Sequence, residues 1–204
     1  MNVLTKVCVL NICVFLAPSA LADFISDSTG KLELKNFYFN RDYREPNATQ
    51  SKREEWAQGF ALQIESGYTE GTVGVGVDVL AMAGFKLDSS ADRTRSGLLP
   101  VRQSGKAEDS YGEAAFTAKF RASQTTLKIG ALAPPALPIL EKNVGRLQPQ
   151  LFKGAHLRSQ ELKDLTLDVG RITHVNQVDS TNYEALAVAT GAVSYTHLTL
   201  PTSD

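Results

Sequence analysis

Apolar residues alternate with small or polar ones, at period two, through most of the chain. Leu32, Leu34 and Tyr38 fall on one face of a first segment, with Glu33 and Lys35 on the other. In a second, Trp56, Phe60, Leu62, Ile64 and Tyr68 oppose Ala57, Gly59, Ala61, Gln63, Glu65 and Gly67. A third sets Val73, Val75, Val77, Val79 and Ala81 against Thr72, Gly74, Gly76 and Asp78. Further on, Ala114, Phe116, Ala118 and Phe120 oppose Ala115, Thr117, Lys119 and Arg121. After a tight Ser123-Gln124 connection, Leu127, Ile129 and Ala131 are backed by Lys128 and Gly130. A strand near residues 155–160 turns at Lys163-Asp164 into Leu165, Leu167 and Val169, opposed by Thr166, Asp168 and Gly170; residues 183–193 are a last candidate. The pattern predicts an all-β protein of about eight antiparallel strands, joined by short and long connections in turn.

Alternation alone does not separate a soluble sandwich from a transmembrane β-barrel, since both have one apolar and one polar strand face. Two features of the pattern favour the barrel. Phe37, Tyr38, Phe39, Trp56, Tyr68 and Tyr111 sit at strand ends, as in the aromatic girdles at membrane interfaces. Long polar connections also alternate with tight turns. One stretch, residues 132–154, does not alternate. Pro134, Pro135, Pro138 and Pro149 exclude it as a central strand. Its Leu137, Ile139, Leu140, Val144, Leu147, Leu151 and Phe152 call for a packing partner, and in a barrel the available place is the lumen.

The N-terminus adds an address. Lys6, an apolar run from Val7 to Ala17 and Ala20-Leu21-Ala22 form a secretory signal, residues 1–22, with cleavage expected before Asp23. The run is too short for a transmembrane helix, which needs ~20 residues. Cleavage removes both cysteines, Cys8 and Cys13, so the exported protein has no disulfide staple, a third feature that favours a barrel over a small secreted domain. It also has no thiol nucleophile or Cys-based metal site. Charge is nearly balanced, 21 Lys+Arg against 22 Asp+Glu, which argues against a general nucleic-acid binder. Mean hydropathy is −0.15, which excludes a helical membrane protein but is what alternating barrel strands average to.

Several stretches resemble, in order, the N-terminal strands of the OprD-type outer-membrane porins. They are residues 36–42 (NFYFNRD), 54–60 (EEWAQGF), 66–74 (SGYTEGTVG), 97–100 (GLLP), 145–150 (GRLQPQ) and 164–167 (DLTL) with Gly170-Arg171. The resemblance covers about residues 23–193. It implies a monomeric barrel of 18 antiparallel strands, installed by the barrel-assembly machinery among the lipids of a Gram-negative outer membrane. It further implies a narrow channel for small water-soluble solutes, often amino acids or related carboxylates, guided by a ladder of basic side chains. No cofactor or metal is implied. By face, Lys119, Arg121, Lys128 and Arg158 are candidates for that ladder. Lys142, Arg146 and Lys153, in or beside the proline-rich segment, are candidates for the constriction, and Glu113 and Asp168 for an opposing acidic wall. An Arg or Lys facing lipid near the midplane costs roughly 2–4 kcal/mol, which favours the lumen for the strand residues.

Two other readings stand beside the channel. One is a soluble periplasmic β-domain that binds a small ligand. The other is a serine-type peptidase, an activity attributed to some members of the family. His156, His174 and His197 are present, but no G-x-S-x-G elbow is, and His156 with Arg158 reads as a pore-lining pair. Residues 194–204 (SYTHLTLPTSD) match no strand of the family and read as a tail of doubtful origin. About eight strands of an 18-strand design would leave two open edges, whose backbone groups lipid does not satisfy. The chain alone is therefore expected to form an open sheet or to aggregate.

Overall fold

The computed structural model describes residues 24–132, 145–186 and the backbone of 197–199. The signal, residues 1–22, lies outside the described residues, as do most of the proline-rich segment and Lys142.

Eight strands follow one another as an antiparallel meander: β1 (Thr29–Asp42), β2 (Lys52–Glu65), β3 (Gly74–Asp88), β4 (Ser110–Ala122), β5 (Thr125–Leu132), β6 (Leu151–Ser159), β7 (Leu167–Asn176) and β8 (Tyr183–Ala185). A ninth, β9 (His197–Thr199), falls within the tail set apart above. It pairs with the first half of β7, while β8 pairs with the second half. Among the described residues β1 pairs only with β2, so the sheet is open, as expected. The connections differ widely in length: the longest, residues 89–109 and 133–150, follow β3 and β5, and the shortest is Ser123-Gln124 after β4.

The two faces differ as the alternation demands. One is bare. Leu32 and Leu34 on β1, Phe60, Leu62 and Ile64 on β2, Val75 and Val77 on β3 and Phe116 on β4 are all exposed, Phe116 by 59%. Phe60 and Phe85 meet edge-to-face at 5.8 Å. On the bare face every β3 position from Val75 to Phe85 is apolar, a span of about 33 Å at ~3.3 Å per residue. A strand tilt of about 40° brings that to about 25 Å, the height of a barrel's lipid band. At the long-connection end the band stops at a polar border, where Asn36, Gln58 and Ser110 stand in register around Phe85. There the Trp56 indole donates to Asn36 (2.9 Å) and the Tyr38 hydroxyl to Glu54 (2.6 Å). An apolar ring with a polar tip suits the level where hydrocarbon meets water.

The other face is packed. The connection between β3 and β4 folds back onto it, and Leu98 and Leu99 are fully buried there with Ala57, Ala107, Tyr111 and Leu147. Phe37 and Phe39 pack against the same cluster. A second cluster joins Leu80, Met82, Ala115, Ala131 and Leu151.

Several sequence-based expectations change. Of the six girdle aromatics, only Tyr38 and Trp56 stand on the bare face. Phe37, Phe39 and Tyr111 serve the packed face, because parity on their strands puts them there. Tyr68 leaves the face it shares with Phe60 in the alternation, since β2 ends at Glu65. Ala131 leaves the side of Ile129 for the buried cluster, because Gly130 has φ +133° and breaks the alternation. A Cβ on Gly130 would overlap the Phe116 carbonyl oxygen. Strands claim Leu132 and Leu151–Ser159, so both ends of the stretch expected to be irregular belong to the sheet.

At the short-turn end, Glu161 clasps two turns together. Its carboxylate accepts from the Ser123 hydroxyl (2.9 Å), the Gln124 amide (2.8 Å) and the Thr125 hydroxyl (3.0 Å). Those bonds, Ser123 first, hold its pKa below the usual 4.5. A depressed carboxylate stabilises the fold above its unfolded pKa, and that contribution disappears as pH falls through the folded value. The clasp should therefore survive mild acid and open only below the ordinary glutamate range. Carbon-13 titration of Glu161 should show this, and in Glu161→Gln the acid-dependent loosening of the β4–β5 turn should vanish.

Candidate functional site

Strand register assembles the basic residues of β4, β5 and β6 expected to form the ladder into two rows on the packed face. Residues opposite one another in a ladder share a face. The pairing sets Gly76, Lys119, Lys128, His156 and Gly170 side by side across β3 to β7. One step along, it sets Gly74, Arg121, Thr126, Arg158 and Asp168 side by side. Every cation of the predicted ladder on β4, β5 and β6 falls in these two rows.

Their environments are unequal. Lys119 is buried, 5% exposed. Its ammonium pairs with Asp78 (2.6 Å), donates to the Ser66 carbonyl (2.6 Å) and lies 4.8 Å from the centre of the Tyr68 ring. A Cβ on Gly76 would overlap the Lys119 stem, so glycine there makes the room. Burying an ammonium is tolerable only with such partners. Lys119 is thus mainly structural. Lys128 shares the other oxygen of Asp78 at 3.0 Å but stays open to solvent. Arg121 stacks on Tyr68 at 4.2 Å and has no carboxylate partner among the described residues. Arg158 grips Asp168 with two nitrogens, at 2.8 and 3.2 Å, and His156 Nε2 meets the same carboxylate at 2.8 Å. Four permanent cations thus face two carboxylates, which leaves the rows a positive surplus.

A second basic corner forms where the segment 145–150 crosses β1 and β2. Leu147 anchors it in the Leu98–Leu99 cluster. Arg146 Nε donates to the Ser96 carbonyl (3.1 Å), its guanidinium carbon lies 5.4 Å from the centre of the Phe39 ring, and Lys35 donates to the Arg146 carbonyl (3.0 Å). On the bare face Arg171 stands opposite Ala155, in line with Val77, Ala118 and Ile129, and among the described residues no comparable array forms there.

The structure therefore unites Lys119, Arg121, Lys128 and Arg158, and sets Arg146 apart at its own corner. Lys153 lies against Tyr183, 3.6 Å from the ring centre, and lines a hollow of about 360 Å³ together with Glu113. Lys142 is outside the described residues. Glu113 on β4 and Asp168 on β7 are three strands apart and make no joint acidic wall. Asp168 sits inside a basic row because Arg158 is its ladder partner, and His156, opposite Gly170, reaches it diagonally. Sequence reasoning missed the roles of Asp78, Tyr68, Lys35, Glu55 and Ser96. Parity does place Asp78 and Lys35 on the right face, but no local signal names their partners. Among the described residues, no cluster of three His, Cys, Asp or Glu side chains is placed to hold a metal ion.

A model of the family described as "outer membrane porin, OprD family" matches residues 22–201, a span that runs past Val193 into the tail. The chain is 45% identical over 153 residues to the porin-like protein GalP of Pseudomonas putida, covering 74% of this chain and 37% of that protein. It is 43% identical over 150 residues to Porin D of Pseudomonas aeruginosa, covering 74% and 33%. The chain thus spans about a third of the length of these relatives. The crystal structure of Pseudomonas aeruginosa OccK9 superposes with a TM-score of 0.76 at 50% identity, over 79% of this chain and 41% of that one.

Proposed function

Because the chain belongs to the OprD family of outer membrane porins, we propose that its sheet is channel wall: bare face to lipid, packed face to the lumen. The protein passes small water-soluble solutes such as amino acids or other carboxylates across the outer membrane. It reaches that membrane by a cleaved signal, residues 1–22, and the barrel-assembly machinery, and works as a monomer. The observation that carries this reading is the contrast between the faces of a single sheet. A lipid-height apolar band with a Trp–Tyr polar border backs directly onto two cation-rich rows. A soluble domain would bury the band.

On this reading Lys128, Arg121 and Arg158 meet the solute, since each keeps guanidinium or ammonium surface open to the lumen. Lys119 holds the wall behind them. Arg146 and Lys153 act where connections fold inward. An anion passing the rows exchanges part of its hydration for these charges, and their surplus favours it over a cation.

The test is reconstitution in planar bilayers, with heat-modifiable gel mobility as the check on folding. Discrete conductance that favours anions is expected. A detergent-free soluble protein without conductance would overturn the channel in favour of a ligand-binding β-domain. Lys128→Ala combined with Arg158→Ala should lower passage of an anionic solute severalfold while leaving a neutral solute of equal size nearly unchanged. The peptidase reading has no supporting contact: His156 Nε2 meets Asp168 and His174 Nδ1 meets Thr173, and among the described residues no hydrogen bond joins either ring to a serine. Labelling of the folded protein by a serine-hydrolase probe would reverse that conclusion.

A further inference from the structure

We infer that Glu55 is a positioning residue for the lumen arginine Arg146, acting through Ser96; this rests on the packed face being channel wall. Glu55 is fully buried on β2, and no cation lies against it among the described residues. Both its oxygens accept. Oε1 takes the Ser89 hydroxyl (2.9 Å), and Oε2 takes the Ser96 amide (2.9 Å) and, at close range, the Ser96 hydroxyl. All three donors belong to the connection between β3 and β4. A buried carboxylate persists only when donors replace its water, so these contacts pin that connection to the wall.

The pin has a direction. Arg95 and Gly97, on either side of Ser96, take left-handed φ of 69° and 81°. That turns the amide and hydroxyl of Ser96 toward Glu55 and presents its carbonyl to Arg146 Nε at 3.1 Å. Left-handed φ at a non-glycine residue persists only where surrounding contacts enforce it. The same geometry brings Gly97 under the Arg146 side chain, with Phe39 against the guanidinium. Arg146 has no carboxylate partner among the described residues, so its charge stays available to a solute while Ser96 fixes its place. Glu55 touches no solute. It decides where the arginine stands.

The test compares Glu55→Gln, Ser96→Ala and Arg146→Ala, alone and combined, in the protein reconstituted in planar bilayers under a KCl gradient. The readout is the anion-to-cation permeability ratio from the reversal potential. Arg146→Ala should lower the ratio. Glu55→Gln, which sets an amide N–H₂ against the serine donors, should lower it by roughly twofold or more, as expected within one hydrogen-bond network. Neither Glu55→Gln nor Ser96→Ala should lower it further in the Arg146→Ala background. An unchanged ratio in a conducting Glu55→Gln channel would overturn the inference, as would an equal shift with Arg146 absent. If Glu55→Gln does not assemble, Ser96→Ala decides, since it keeps the backbone bonds to Glu55 and Arg146 and removes only the hydroxyl with its bonds to Glu55 and the Leu98 amide. Failure of the unmutated protein to conduct is a different result and counts against the channel reading itself.

Discussion

Leu98→Ala is expected to lower stability by about 2–5 kcal/mol, although Leu98 lies in a connection between strands. Its side chain is fully buried between Ala57, Tyr111, Leu99 and Leu147. Its backbone is held as well, the amide by the Ser96 hydroxyl (3.2 Å) and the carbonyl by the Tyr111 hydroxyl (2.9 Å). The surroundings are therefore poorly able to collapse into the space left by the lost methyl groups, and the cavity adds to the lost transfer energy. Urea unfolding in detergent, or the temperature at which gel mobility shifts, measures the loss. Leu162→Ala, at an exposed turn position, should stay within about 0.5 kcal/mol. Equal effects at the two sites would mean that the β3–β4 connection does not pack on the wall.

Phe116→Arg should cost about 2–4 kcal/mol in a bilayer. Phe116 is paired with Val79, near the middle of the apolar run from Val75 to Phe85, and its ring stands clear of the protein. A guanidinium there has no nearby water, and the polar border around Asn36 and Gln58 is too distant along the strand for the side chain to reach. Gln63→Arg, on the packed face, should change stability by no more than about 0.5 kcal/mol. The difference between the two arginines, read from urea titration in lipid vesicles, identifies the lipid side. Equally small effects at the two sites would mean that the bare face meets water rather than lipid.

The face of almost every strand residue was legible in the chain, because a strand's side-chain period is two and each error of one residue would invert a whole face. Counting alone put Lys119, Arg121 and Lys128 on polar strand faces, and the register gathers them with Arg158 on the packed face. The failures have local causes. Gly130 breaks its strand's alternation through an unusual φ, and Tyr68 lies beyond the end of β2. For Phe37 and Tyr111, an aromatic at a strand end suits either a girdle or a core, and composition does not distinguish them. The Leu98-Leu99 pair was a visible signal, two adjacent leucines in a connection rich in polar residues, but nothing beside it says which surface receives them.

The sequence by itself determined that this is a sheet with one apolar and one charged face, because alternation is a property of each strand alone. It also carried the motifs of its family. The tertiary structure alone decided which charges remain available. Lys119 and Asp78 are 41 positions apart, and only the β3–β4 register makes them an ion pair. Glu55 and Ser96 are equally remote, and only the folded connection joins them. Spacing sets the direction of a side chain; its neighbours across the sheet, and hence its charge as a solute meets it, depend on pairing between distant segments.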